Sequence, residues 1–315
     1  MIITYSAYKP IQAALLKLDS AVSYSLGVIA AIECITCDCA VAQEAFDSRE
    51  VYAMLFSTVS KSSCAASHAE VCRAMTALLR GRGIASSAWG DVHALSDCIR
   101  AIGNAADARS CDAAAEFVDA LAAEMGQGVA EALLARGDVP GAVERIAGAA
   151  SSHWCRVVLL SGVYRFILLA AGFRSSLCSD AVVKAAQAAM MNVQDDYDCG
   201  TVANAVGELV RGHGKNKAAF SCEATCAGLM QMAEAAVEQV TVQVVFKVLL
   251  IIFMCAGCLV TLSHPRTLHS QYPAYTTETS TPAALRPPLP PFYLCEPSAT
   301  HVPRAVVTRS FCCPI

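Results

Sequence analysis

A thirteen-residue stretch of this chain occurs twice. Val71-Cys72-Arg73-Ala74-Met75-Thr76-Ala77-Leu78-Leu79-Arg80-Gly81-Arg82-Gly83 is echoed by Val202-Ala203-Asn204-Ala205-Val206-Gly207-Glu208-Leu209-Val210-Arg211-Gly212-His213-Gly214, 131 residues later. Val, Ala, Leu, Arg and both Gly coincide, and Trp89 and Phe220 follow at the same offset. That offset is three periods of roughly 43 residues, inside the range that marks helical repeat arrays. The intermediate copies are present: Leu121 with Gly126, Ile167 with Gly172, and Ile252 with Gly257. Ile35 and Ala40 supply an earlier one. One pattern therefore recurs six times, anchored at positions 40, 83, 126, 172, 214 and 257. A unit of this size cannot bury its apolar face alone, so the copies must stack.

Each unit reads as helix. Val71, Met75, Leu78 and Leu79 stand at three- and four-residue spacing, which places them on one helical face. The glycine that follows is expected to end the helix in the left-handed C′ position, where a Cβ is penalised. A bulky residue six positions on (Phe46, Trp89, Phe220) is expected to start the next helix and plug the seam between units. Alanine, present 57 times, suits helices that approach closely. No sustained two-residue alternation marks a strand.

The junction Ala205-Val206-Gly207-Glu208-Leu209-Val210-Arg211-Gly212, followed by Lys215-Asn216-Lys217-Ala218-Ala219-Phe220, resembles the end of an armadillo unit. There a third helix reading roughly Ala-Leu-x-Asn-Leu-Ala-x-Gly is followed by a polar turn and a new helix. The likeness covers about residues 20–257. It implies an all-α fold, a right-handed α-solenoid of about six degenerate armadillo-like repeats, built for partner binding. Armadillo proteins that hold extended peptides clamp the ligand backbone with a third-helix Asn. The aligned positions are Cys34, Ala77, Ala120, Phe166, Glu208 and Ile251. None is Asn, so the resemblance implies a scaffold but not that clamp.

Composition narrows the function classes. With 23 Lys+Arg against 27 Asp+Glu the net charge is −4, which lacks the basic footprint of a nucleic-acid binder. Seventeen Cys in a chain this long read as small packing residues in a reducing, cytoplasmic compartment rather than as a disulfide framework. Cys34-x-x-Cys37-x-Cys39 and Cys255-x-x-Cys258 have a metal-like local spacing. Structural zinc needs four converging ligands, and these groups lie in the first and last units. Gly212-His213-Gly214-Lys215 and Gly126-Gln127-Gly128 lack the preceding strand, or the closing Gly-Lys-Ser/Thr, of nucleotide loops. Asp195-Asp196-Tyr197-Asp198 lacks the Gly and terminal Glu of a calcium loop. It is read as the N-cap of a helix from about Thr201. The seven His form no catalytic grouping, and His153, beside Trp154 and Cys155, is read as a packed helix residue. The sequence thus assigns no catalytic, cofactor or metal residue and no small-molecule substrate. It leaves the partner-binding residues open.

Val244–Leu262 contains nineteen residues and one charge, Lys247. It is long enough to span a membrane, yet Gly257 keeps the repeat period, so the same segment reads as the last third helix. The two readings give two functions. One is a non-catalytic, cytoplasmic protein–protein interaction scaffold. The other is a membrane-associated helical protein tethered by residues 244–262. Ten of the twelve Pro lie at or after Pro265 and no Gly follows Gly257. A repeat domain over 1–262 and a Pro- and Thr-rich, disordered tail over 263–315 are therefore expected. Within that tail Pro287-Pro288-Leu289-Pro290 could form a short polyproline II ligand. The Cys312/Cys313 pair could be acylated.

Overall fold

The computed structural model describes residues 22–37, 39–61, 65–80, 92–105 and 107–253. All of them belong to one compact unit. Among the described residues there are fourteen α-helices and no strand. They are α1 Val22–Thr36, α2 Ala40–Phe46, α3 Arg49–Lys61, α4 Ala65–Leu79, α5 Val92–Ile102, α6 Ala108–Glu124 and α7 Gln127–Ala135. There follow α8 Asp138–Ala149, α9 His153–Leu169, α10 Asp180–Met190, α11 Asp196–Val210, α12 Gly214–Phe220, α13 Glu223–Ala235 and α14 Gln239–Phe253. A 3₁₀ turn, Ala171–Phe173, separates α9 from α10.

The helices form two ladders. The long helices α1, α4, α6, α9, α11 and α14 pack in that order, each on the next. These six are the third helices of the units. The second helices α3, α5, α8, α10 and α13 pack in parallel order. The short α2, α7 and α12, and the 3₁₀ turn, are the first helices that carry the chain between ladders.

The inner third helices are covered on two sides, which explains their composition. Ala113, Ala114 and Ala115 of α6 are all buried, because α4 lies on one side and α9 on the other. Gly162 of α9 meets the α6 backbone: a Cβ there would stand 3.1 Å from the Asp119 nitrogen and 3.2 Å from its Cα. Phe117 and Phe166 fill the remaining volume and are fully buried, each contributing on the order of 1.5–3 kcal/mol. Polar side chains close helix ends. Asp107 and Ser110 form a reciprocal cap on α6. Gln43 of α2 donates to the Ala77 carbonyl of α4 at 2.8 Å, and Asn216 of α12 donates to the Leu209 carbonyl of α11 at 2.8 Å.

Several expectations need correction. Gly212, at φ 68°, does hold the left-handed C′ position after α11, but the described anchor glycines do not. Gly126 is extended and is the N-cap of α7, Gly172 lies in the 3₁₀ turn and Gly214 opens α12. The left-handed glycines among the described residues are Gly137 and Gly212, at φ 79° and 68°. Phe46 and Phe220 are fully buried, but they end the short first helices rather than start the next ones. The helix capped by Asp195 begins at Asp196, five residues earlier than expected, with Asp195 accepting from the Asp198 N–H at 2.9 Å. Trp89, Gly83, Gly257, Cys255, Cys258, Pro287–Pro290, Cys312 and Cys313 lie outside the described residues.

Val244 to Phe253 is the larger part of α14, which starts at Gln239. Val245, Val248 and Ile252 are buried, and α14 packs on α11 and α13. No helix among the described residues is long and apolar enough to cross a membrane. Residues 254–262, the remainder of the apolar segment, lie outside the described residues.

Candidate partner-binding face

Each inner third helix keeps one stripe of side chains clear of its neighbours. On α4 the stripe holds Glu70, Arg73 and Arg80; on α6, Arg109, Asp112, Glu116 and Asp119. On α9 it holds Trp154, Arg165 and Leu168; on α11, Tyr197, Asn204, Glu208 and Arg211. Within each stripe the residues recur at intervals of three, four, seven or eleven, which return to one helix face; Arg80 and Arg211 stand just past the ends of α4 and α11. Side by side, the stripes line one face of the ladder, interrupted on α9 by the buried run 157–163.

Polar contacts tie neighbouring stripes together. Arg109 of α6 pairs with Glu70 of α4, which also holds Arg73 at 3.2 Å. Arg165 of α9 lies 2.9 Å from Asp119 of α6. The Trp154 indole N–H donates to Glu116 at 3.0 Å. Arg174, after the 3₁₀ turn, reaches Glu208 at 3.1 Å. Between α1, α4 and α6 a small open pocket is lined by Glu33, Arg73, Arg80 and Glu116. Burial raises the Glu33 carboxyl above its ordinary range, against the pull of Arg73. A surface of fixed, alternating charges with exposed aromatics can hold polar and apolar side chains of a partner; among its described residues it presents no nucleophile paired with a base.

The residues singled out in the sequence disperse. Of the clamp-equivalent positions, Cys34 is exposed and Glu208 and Ile251 are partly exposed, whereas Ala77, Ala120 and Phe166 are buried. Phe166 is in the core because the outward residue of that turn is its neighbour Arg165. Cys34 and Cys37 are exposed and Cys39 is partly so. No group of three or more His, Cys, Asp or Glu that could hold a metal occurs among the described residues. Burial pushes the Cys155 thiol up to about 12 and the Cys111 thiol to about 11, which suppresses the reactive thiolate. Gly126-Gln127-Gly128 opens α7. His213 caps α12, its ring accepting from the Asn216 N–H at 3.4 Å. His153, Trp154 and Cys155 part company. His153 Nε2 lies 2.7 Å from Asp198 of α11, Trp154 is half exposed and Cys155 is buried.

One arrangement escaped the sequence reading. Trp154, Tyr197 and Val240 are 50%, 61% and 69% exposed. Each is the second residue of its third helix, in α9, α11 and α14 respectively. They are spaced 43 residues apart, so the repeat period itself was the available signal. The glycines that punctuate the period stand at the opposite helix ends and do not mark it.

No protein-family model matches the chain, and no curated protein matches it. Solved structures do. A designed armadillo repeat protein aligns at a TM-score of 0.57 and 8% identity, over 78% of this chain and 98% of the other. An engineered protein of a structural genomics consortium aligns at 0.59 and 12%, over 80% and 99%. A designed armadillo repeat protein in complex with the peptide (KR)4 aligns at 0.55 and 11%, over 78% and 98%. The two ladders and these alignments together give the fold its class: an armadillo-like α-solenoid.

Proposed function

We propose that this chain is a non-catalytic, cytoplasmic scaffold that binds protein partners through the face of its third-helix ladder. The observation that carries the reading is the shared face from Glu70 on α4 to Arg211 on α11, tied by ion pairs between successive units at α4–α6 and α6–α9 and by Arg174–Glu208 within the next unit. Its charged and aromatic groups join helices and remain accessible, as an interaction surface requires. One structural neighbour is a complex with a peptide, which supports a protein segment, rather than a nucleic acid or a small molecule, as the bound species. The docking of α14 on α11 supports residues 244–253 as the closing helix of the array.

The test is capture of partners from cell extract on the immobilised full chain. Partners should be retained by the native protein and lost from the Arg73→Glu/Arg165→Glu variant. They should persist on Lys184→Glu, which alters an exposed residue of the second-helix ladder. Equal retention by all three proteins would remove the third-helix face as the binding surface.

A further inference from the structure

We infer that the outer face of the last unit, on α13 and α14, is an interface at which two copies of this chain pair tail to tail about a two-fold axis. The inference stands apart from the scaffold reading and uses a different surface.

The repeat period identifies the face. Phe246, Leu249, Leu250 and Phe253 of α14 stand 43 residues after Ala203, Val206, Gly207 and Val210 of α11. Those four α11 residues are buried, and α14 packs on α11. A Cβ on Gly207 would lie 3.1 Å from Val248 Cγ2 of α14. The same positions on α14 are open: Phe246 is 46% and Leu250 52% exposed, and Leu249 and Phe253 are partly so. The second helices agree. Gln187 of α10 reaches forward to Cys222 and Thr225 of the next unit, at 3.1 and 3.0 Å. Met230, 43 residues later on α13, is exposed. The stacking face of a whole unit, on both ladders, is thus uncovered among the described residues, where the end of an array calls for a polar outer surface.

The side chains of this face favour a second copy over one more repeat unit. The inner seam closes on small residues, Ala203 and Gly207; at the same positions α14 carries Phe246 and Leu250, which hold a neighbour further off. The face also complements itself. Val240, Gln243, Phe246, Lys247 and Leu250 are exposed, and their spacing sets them on one side of the helix. Let α14 run antiparallel to its counterpart, with the two-fold level with Val245. Val240 then stands opposite Leu250 of the second copy. Gln243 stands opposite Lys247 of the second copy, whose ammonium can donate to the amide oxygen. The two Phe246 rings flank the axis. Each match occurs twice, as a self-complementary contact requires.

The experiment is sedimentation equilibrium of the full chain through the micromolar range, where a reversible monomer–dimer equilibrium is expected. Phe246→Glu/Leu250→Glu should weaken the dimer at least about tenfold, as loss of central apolar anchors does. Gln243→Lys sets like charges across the seam and should weaken it about two- to fivefold, while Gln243→Glu, opposite Lys247, should strengthen it by a similar factor. Lys184→Glu on α10 should leave it unchanged. Matching helical circular dichroism checks that each variant is folded. Monomer at every concentration would overturn the inference and leave the face to another occupant, such as residues 254–262 that follow it. A dimer indifferent to Phe246→Glu/Leu250→Glu would overturn it, as would equal effects of Gln243→Lys and Gln243→Glu. So would species that grow beyond the dimer, which would mark a head-to-tail contact. None of these results touches the scaffold reading, whose readout is partner loss on Arg73→Glu/Arg165→Glu.

Discussion

Gly162 and Gly200 both lie inside third helices, yet they answer to different constraints. A Cβ at Gly162 would press on the Asp119 backbone and on Val118 at 3.1–3.2 Å, while one at Gly200 would meet nothing within 4 Å. Backbone cannot yield as a flexible side chain can, so Gly162→Val should destabilise by about 1–3 kcal/mol, the usual range for overpacking. Gly200→Ala should stabilise by roughly 0.5–1 kcal/mol through helix propensity alone. Urea denaturation of the two variants, read against the native protein, checks both signs. The cysteines divide in the same way by position. Cys72, Cys98, Cys111, Cys155 and Cys199 are buried packing residues, and Cys34, Cys37 and Cys222 are exposed.

At the scale of the element, the third helices depend on side chains that cross between units. His68 of α4 is buried, and its Nε2 lies 3.2 Å from the Ala101 carbonyl of α5. Burial holds the imidazole below its ordinary range, against the opposing pull of that carbonyl and of Asp107. The sign of the linkage follows. From the usual value of about 6.5 downward, the unfolded chain takes up a proton that the folded chain refuses until its lower pKa is reached. This contribution to stability is intact above about pH 6.5 and is lost as pH falls through that window. The drop in Tm between pH 7.5 and 5.5 should therefore be smaller in His68→Gln, which cannot titrate, than in the native protein. An equal drop would place the acid sensitivity elsewhere. Nothing in the sequence marks His68, because its burial depends on α5, whose approach is a tertiary fact. The third helices themselves were legible. Val71, Met75, Leu78 and Leu79 show their spacing openly, and all four are buried. Helix ends were less so. Glycine punctuates the period, but its role as N-cap or turn residue depends on the direction in which the next helix leaves.

For the whole molecule, the repeat of about 43 residues carried the architecture further than any single motif. Third helices end at Thr36, Leu79, Glu124, Leu169, Val210 and Phe253, and the sequence anchors at 40, 83, 126, 172, 214 and 257 track them within a few residues. The candidate surface was legible only in part. A stripe such as Trp154, Tyr197 and Val240 becomes a surface once the units are stacked; in the sequence each is a large side chain in an unrelated local context, Trp154 between His153 and Cys155, Tyr197 between Asp196 and Asp198. Where the period wavers, as between Ala120 and Phe166, a one-residue slip turns an outward position into a core one. The most direct test of the stacked ladder is amide hydrogen exchange along the full chain. Slow exchange should run through α4, α6, α9 and α11, which are packed on both sides, and fast exchange through α2, α12 and Ala171–Phe173. Exchange in α6 and α9 as fast as in α12 would contradict a continuous third-helix core, and with it the surface that core supports.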